Sequence, residues 1–382
     1  MRDGKVVIAR FWPTYDGRPY IRAGEIFGLN PDCFETIFIY LIKSSDKENI
    51  FEKKGYKTFY LSRKRFLHVF NPWSVWKVAR ILKEQKVDIV QCHKHQSTVY
   101  GTLAAIIAKE PIVFAHVEGL NRTRNIGRRL INHFILKRVK KILAVADRIR
   151  DDILINNPTV PAEKVVTIGN SVDFQRFASA KISKDEVRKR ENLPMDAFVF
   201  GTVGRLVPTK GYPYLVRAFT TVKKQAPNAF LVFIGEGRLR EQLEKEVEAG
   251  GIVDSVRFFG RREDIPELLR ALNCFVLPSI AEGMPTVILE AMASRVPCVA
   301  TNVGGIPEII TDSKTGFLIP SKDENALADV MIRVSRLSHN DTEAIMDRAQ
   351  NMVRNFYDHS VMTEKLENLY RTQLQLFASS KT

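Results

Sequence analysis

Two glutamates, Glu282 and Glu290, lie eight positions apart in the segment AEGMPTVILEAMA that runs from Ala281 to Ala293. The preceding run Cys274–Ser279 (CFVLPS) is short, apolar and closed by Pro278, the pattern of a buried parallel strand. Pro285 sits where a first helical residue belongs, and Val287–Ala293 is helix-forming. Glu282 is therefore expected in a strand-to-helix loop, with Glu290 about one and a half turns into the helix. Both then face the carboxyl end of the sheet, where open α/β sheets bind ligands. Met284 is a poor N-cap, which leaves the first N–H groups of the helix, near Thr286 and Val287, available to a phosphate. A second set, Gly204-Arg205-Leu206-x3-Lys210-Gly211, follows the apolar run Phe198–Val203. Arginine offers phosphate oxygens a planar fork and lysine a mobile point charge. Either set alone is ordinary: two glutamates make a solvated helix face, and two cations near a turn make a charged surface. Together, cations and helix amides suit negative charge that builds up on a departing phosphate.

The combination Glu282-Gly283-x-Pro285-x4-Glu290-Ala291-Met292-Ala293, followed by Pro297–Thr301 and Gly304-Gly305-x-Pro307-Glu308, resembles the signature of the retaining glycosyltransferases of family 4, the glycosyl transferases group 1. The Gly204–Gly211 segment is similar to that family's G-R-L-x3-K-G pattern, and Gly235-Glu236-Gly237 fits it more loosely. The resemblance implies a GT-B fold, two Rossmann-like domains facing each other across a cleft with a C-terminal helix crossing back to the first. It implies transfer of a hexose-type sugar from a nucleoside diphosphate sugar to a saccharide or glycolipid acceptor. Retention in this family is usually explained by front-face attack, the leaving phosphate helping to deprotonate the acceptor. By the same resemblance, Glu282 contacts the transferred sugar and Glu290 holds the ribose. Arg205, Lys210 and the amides near Thr286 and Val287 stabilise the diphosphate. Gly204, Gly283, Met284 and Pro285 complete the donor-binding segments, and base recognition falls near Arg261 and Arg262. The family often carries adjacent glycines after the first strand. Here the loop Trp12–Pro19 holds one, Gly17, the candidate for close approach to the donor, beside Arg18. His116 is taken for the histidine that the family often places near the reacting sugar, with Glu118 as the alternative; a buried structural role for His116 is the competing reading. His93 reads as a core histidine.

No Asp-x-Asp occurs in the chain. With no such carboxylate pair to hold an ion on the diphosphate, metal-independent catalysis without a cofactor is expected. Envelope polysaccharide, lipopolysaccharide core or glycolipid assembly is the implied setting. A non-catalytic nucleotide-sugar-binding protein and a nucleotide-sugar epimerase on the same architecture are the alternatives. A phosphorylase would need a pyridoxal phosphate lysine and a longer chain.

The elements that must position these residues are legible as short apolar runs alternating with helical stretches, the pattern of parallel sheets flanked by helices. The first half gives strands over Lys5–Arg10, Ile37–Ile42, Asp88–Cys92, Pro111–Val117, Lys141–Ala146 and Lys164–Ile168. The second gives Phe198–Gly204, Phe230–Gly235, Val256–Gly260, Cys274–Pro278, Cys298–Thr301 and Phe317–Pro320. The expected organisation is an acceptor-side domain over 1–175, a donor domain over 176–356, and a terminal helix over 357–382 that packs on the first domain. In that helix Val361, Leu366, Leu369 and Leu374 lie on or near one face.

The 382 residues suit two domains, each with its own core. No apolar run approaches the length that spans a bilayer, and the amino-terminal apolar stretch is too short for a secretory signal. Cys33, Cys92, Cys274 and Cys298 never fall in a CxxC spacing, which argues against a zinc site or a disulfide framework and fits a reducing cytoplasm. The formal charge is +15, and residues 1–178 carry most of it, with 31 Lys and Arg against 17 Asp and Glu. The first half is therefore the anion-facing half. No nucleic-acid motif accompanies the charge, which disfavours DNA or RNA as partner. From Arg122 to Lys141 there are eight cations (122, 124, 128, 129, 137, 138, 140 and 141) and no acid. Apolar residues are interleaved, and 127, 130, 131, 134 and 138 fall along one side of a helix. Such a strip either enters the core of its own domain or, with its flanking cations, rests peripherally on anionic lipid at the inner face of the cytoplasmic membrane.

Overall fold

The computed structural model describes residues 4–17, 28–62, 70–109, 111–120, 126–179 and 181–379. Among the described residues, thirteen strands form two sheets. The first holds β1 (Val6–Tyr15), β2 (Phe34–Lys43), β3 (Thr58–Ser62), β4 (Ile89–His93), β5 (Ile112–Val117), β6 (Lys141–Ala144) and β7 (Val165–Thr167) in the order β3-β2-β1-β4-β5-β6-β7. The second holds β8 (Phe198–Val203), β9 (Ala229–Ile234), β10 (Val256–Gly260), β11 (Cys274–Leu277), β12 (Cys298–Thr301) and β13 (Phe317–Ile319) in the order β10-β9-β8-β11-β12-β13. Every strand pairing is parallel. The strand order of each sheet reverses once, between β1 and β4 and between β8 and β11. Loops leave such a switch point in opposite directions and open a crevice at the strands' carboxyl ends.

The sheets belong to separate compact units, Met1–Gly169 with Ser360–Thr382, and Asn170–His359. The chain thus leaves the first unit six residues before the reading near 175. Asn170 and Val172 are the reason: both hydrogen-bond within the second unit, Val172 to Tyr357 and His359, Asn170 to Met284. The helix His359–Ser379 then adds Leu366 and Tyr370 to the core of the first unit, beside Ile8, Phe34, Ile89 and Phe114. Tyr370 is fully buried, and its hydroxyl donates to Gln91 on β4. Val361, read as part of the buried face, is only partly covered, and Met362 takes its place.

Three expectations differ from the structure. The strand β3 (TFYLS) is missing from the reading, because one apolar-polar alternation of five residues beside basic sequence gives little pattern. The first strand runs on to Tyr15, so Trp12–Tyr15 is paired strand rather than loop: Trp12 lies opposite Tyr40 and Tyr15 opposite Lys43. The helix after β11 starts at Thr286, with Pro285 as its N-cap rather than its first residue.

Candidate active site

In the second unit, Glu282 occupies the loop between β11 and the helix Thr286–Ala293. One of its carboxylate oxygens accepts from Lys210 Nζ at 2.6 Å and from Ser279 Oγ at 2.6 Å. The two charged side chains are 17% and 12% exposed, so the pair is held partly out of water, where its attraction is screened less than at the surface. They meet across 72 positions of sequence because the turn Pro208–Lys210 is pressed onto the end of β11. Its closing residue, Gly211, has φ +67°, and a Cβ there would stand 2.0 Å from the Pro278 carbonyl oxygen. On the far side Gly304 (φ +56°) would place a Cβ 2.2 Å from the Glu282 carbonyl oxygen, and Gly305 N–H donates to Gly283 at 2.6 Å. The Glu282 loop is clamped between two glycine turns.

Asn170 fixes the loop from a third direction. Its side-chain amide donates to the Met284 carbonyl at 2.5 Å and its backbone N–H to Met284 Sδ at 3.2 Å. No side chain caps the helix Thr286–Ala293, so the first-turn N–H groups, those of Thr286 and Val287 among them, have no side-chain acceptor. Burial pushes the Glu290 carboxyl up to about 7, against the hydrogen bond with Thr286 and the nearby Arg176 charge, which pull it down. Gly204 and Arg205 leave β8 at the switch point, and Arg205 is exposed. Arg261 is exposed too, whereas Arg262 is committed to Glu191 (2.8 Å to each oxygen) and Asp264 (2.9 and 2.7 Å). Arg262 therefore ties the helix Lys184–Arg190 to the loop after β10.

The structure thus brings Lys210, Glu282, Gly283 and Met284 together at one sheet end beside the helix Thr286–Ala293. It adds Ser279 and Asn170, which the reading missed. Ser279 had a signal, a hydroxyl at the strand end three residues before Glu282. Asn170 had none, because it lies 114 positions from its partner.

In the first unit His116, the last residue but one of β5, lies opposite His93 on β4; both are buried, at 1% and 0%. The burial that made His116 a competing structural residue is therefore real, and Glu118, two residues on, is the exposed group. Glu118 Oε1 lies 3.4 Å from His93 Nδ1. The Trp12 ring stacks on His93 at 4.1 Å and 12°, and His116 stands 4.8 Å away, ring to ring. Gly17 (φ +75°) approaches Ser45 of its own unit, where a Cβ would come within 2.3 Å of the hydroxyl. Arg18, Arg122 and Arg124 lie outside the described residues.

Residues 183–354 match the family model for glycosyl transferases group 1, and residues 39–176 that for Glycosyltransferase Family 4. Among curated proteins, the UDP-Gal:alpha-D-GlcNAc-diphosphoundecaprenol alpha-1,3-galactosyltransferase of Escherichia coli is 28% identical over 306 residues, 78% of either chain. The capsular polysaccharide biosynthesis glycosyltransferase CapM of Staphylococcus aureus is 24% identical over 87% of this chain and 90% of its own. Among solved structures, HepE of Anabaena in complex with UDP superposes with a TM-score of 0.82 over 96% of this chain and all of its own, at 20% identity. Two parallel sheets on this plan make the protein a GT-B protein. The chain belongs to the glycosyl transferases group 1, and it is a glycosyltransferase.

Proposed function

We propose that this glycosyltransferase moves a hexose-type sugar from a nucleoside diphosphate donor to a saccharide or lipid-linked acceptor, with retention at the transferred carbon and without a metal. The observation that carries the reading is the Lys210–Glu282–Ser279 cluster beside an uncapped helix at the switch point of the second sheet. Lys210, Arg205 and the amides of Thr286 and Val287 neutralise charge building on the diphosphate as the sugar bond breaks. Glu282 engages hydroxyls of the sugar, and Glu290 those of the ribose. In the first unit His116, with Glu118 as the alternative, is the candidate to act on the transferred sugar. The leaving phosphate takes the acceptor proton in a front-face attack, so the scheme needs no protein nucleophile. The relatives act in polysaccharide assembly or on a diphosphoundecaprenol lipid by their names, which supports an envelope saccharide or lipid-linked acceptor here. Incubation with UDP-, GDP- and ADP-sugars, reading released nucleoside diphosphate, tests the reading. Slow donor hydrolysis is expected with one nucleotide class, and none with any donor would refute it.

A peripheral place on the inner face of the cytoplasmic membrane is supported by the helix Ile126–Arg138. The strip that could have entered the core does not: Leu130, Ile131 and Phe134 are 65%, 44% and 70% exposed, while Ile135, Leu136 and Val139 are buried. Arg128, Arg129 and Lys137 share this helix. Apolar side chains among cations match an anionic lipid surface, at about 1 kcal/mol per cation. No helix among the described residues is long and apolar enough to cross a membrane. Sedimentation with vesicles should rise with anionic lipid content, fall with salt, and fail when Arg128, Arg129, Lys137 and Lys140 become Ser. Binding indifferent to all three removes the proposal.

A further inference from the structure

We infer that His93, His116 and Glu118 form a binding site for a divalent transition metal ion such as Zn2+, and that the ion acts as a brake on transfer rather than as a catalyst. One ligand atom from each of the three residues lies within 4.8 Å of the others. The 3.4 Å between His93 Nδ1 and Glu118 Oε1 is long for a hydrogen bond. It is the spacing of two donors on one tetrahedral zinc, roughly 3.3–3.5 Å for bonds near 2.1 Å. Two buried imidazoles and one exposed carboxylate make a His2Glu set with an open side. The three ligand atoms span up to 4.8 Å, so an ion would draw them together by a small side-chain movement.

The site is built rather than incidental. His93 is gripped by the parallel Trp12 ring. Its carbonyl accepts from Ser97, and it is followed by Lys94 at φ +71°, a left-handed conformation that a non-glycine residue adopts only when its surroundings impose it. That turn ends β4 and starts the helix Lys94–Ala108 abruptly, which leaves His93 directly opposite His116. Nitrogen donors select zinc, cobalt or nickel over magnesium and calcium, which prefer all-oxygen shells.

The braking half rests on the proposed function, in which His116 and Glu118 stand at the reacting end of the first unit. An ion that takes their donor atoms removes them from sugar and acceptor. The site and the metal independence of transfer are compatible: chelation leaves activity intact, whereas added Zn2+ suppresses it.

The test uses the full chain stripped with chelator. Zn2+ binding is followed by competition with a chromophoric chelator, and Co2+ by its visible absorption. Expected are one ion per chain, the intense visible bands of a four- or five-coordinate Co2+ ion, and no displacement by Mg2+. Glu118→Gln and His93→Gln should each weaken Zn2+ by at least about tenfold, the scale lost when even an outer partner of a metal ligand is removed. Melting temperatures of the metal-free variants show whether each folds, and Glu118→Gln alters an exposed side chain if His93→Gln does not. Equal Zn2+ affinity in wild type and Glu118→Gln, or the weak spectrum of hexaaquo Co2+, would overturn the site. Tight Zn2+ binding that leaves donor turnover unchanged overturns the brake alone. The Co2+ spectrum needs no substrate, so a wrong donor or acceptor assignment cannot mimic either result.

Discussion

Glu282 and Glu290 lie eight positions apart, one in a loop and one in a helix, and are held in opposite ways. Glu282 is anchored by a lysine and a serine in a partly open loop, whereas burial raises the Glu290 carboxyl to about 7, so that it is only partly ionised near neutral pH. Glu282→Gln and Glu290→Gln should both lose most transferase activity with the fold intact. Glu290→Gln should weaken nucleotide binding more, and equal affinities by calorimetry would remove its assignment to the ribose. Ribose hydroxyls donate, so they favour the ionised carboxylate. Nucleoside diphosphate affinity should therefore rise as pH climbs through about 7, the value to which burial raises this group, with proton release on binding. The phosphate titrates near 6 as well, so the diagnostic quantity is the part of the pH dependence that vanishes in Glu290→Gln. Stability runs the other way. The folded carboxyl binds its proton more tightly than the unfolded one, so this group's contribution is full below about 4.5, the ordinary value, and is lost as pH rises through about 7. A wild-type melting profile with no difference from Glu290→Gln across that window would contradict the burial.

At the scale of elements, the donor loop depends on turns that hold it from three sides. Arg205→Ala and Lys210→Ala should each lower turnover by roughly 10²–10³, the size of losing one preorganised stabiliser. EDTA should leave activity unchanged, and loss restored by magnesium or manganese would contradict this account of the diphosphate. Gly304→Ala forces a methyl group against the Glu282 carbonyl in a left-handed turn. It should displace the loop and cut activity while the sheets persist; wild-type turnover would mean that the clamp is slack. Most strands were readable because buried parallel strands are continuous apolar runs, as in Ala229–Ile234 and Cys274–Leu277. Thr58–Ser62 was not, being partly covered at every position at the sheet's edge. The spacing of Glu282, Pro285 and Glu290 exposed the loop and helix, because those contacts are local. The partnership of Lys210 with Glu282, and of Asn170 with Met284, came only from strands crossing over, which a linear pattern does not contain. Likewise the burial of His116 follows from its pairing with β4, not from its neighbours in sequence.

At the scale of the molecule, one unit is continuous in sequence and the other is not. Leu366→Ala should destabilise the first unit by about 2–5 kcal/mol, the usual cost of such a truncation in a core. Amide exchange should loosen in β1, β4 and β5, where its neighbours Ile8, Ile89 and Phe114 lie, and leave β8–β13 unchanged. A uniform loosening of both sheets would show the units to be energetically one. The return of the helix His359–Ser379 also sets an order of events during synthesis. The strands β1–β7 leave the ribosome first, yet the residues that finish their core, Leu366 and Tyr370, are made after the whole of the second unit. The older half of the nascent chain must wait with apolar surface uncovered while the younger half folds, an interval in which chaperones and proteases have access to it. Nascent chains stalled at Asp358 on a long tether should show a protease-resistant second unit and a first unit that becomes resistant only when 360–379 are added.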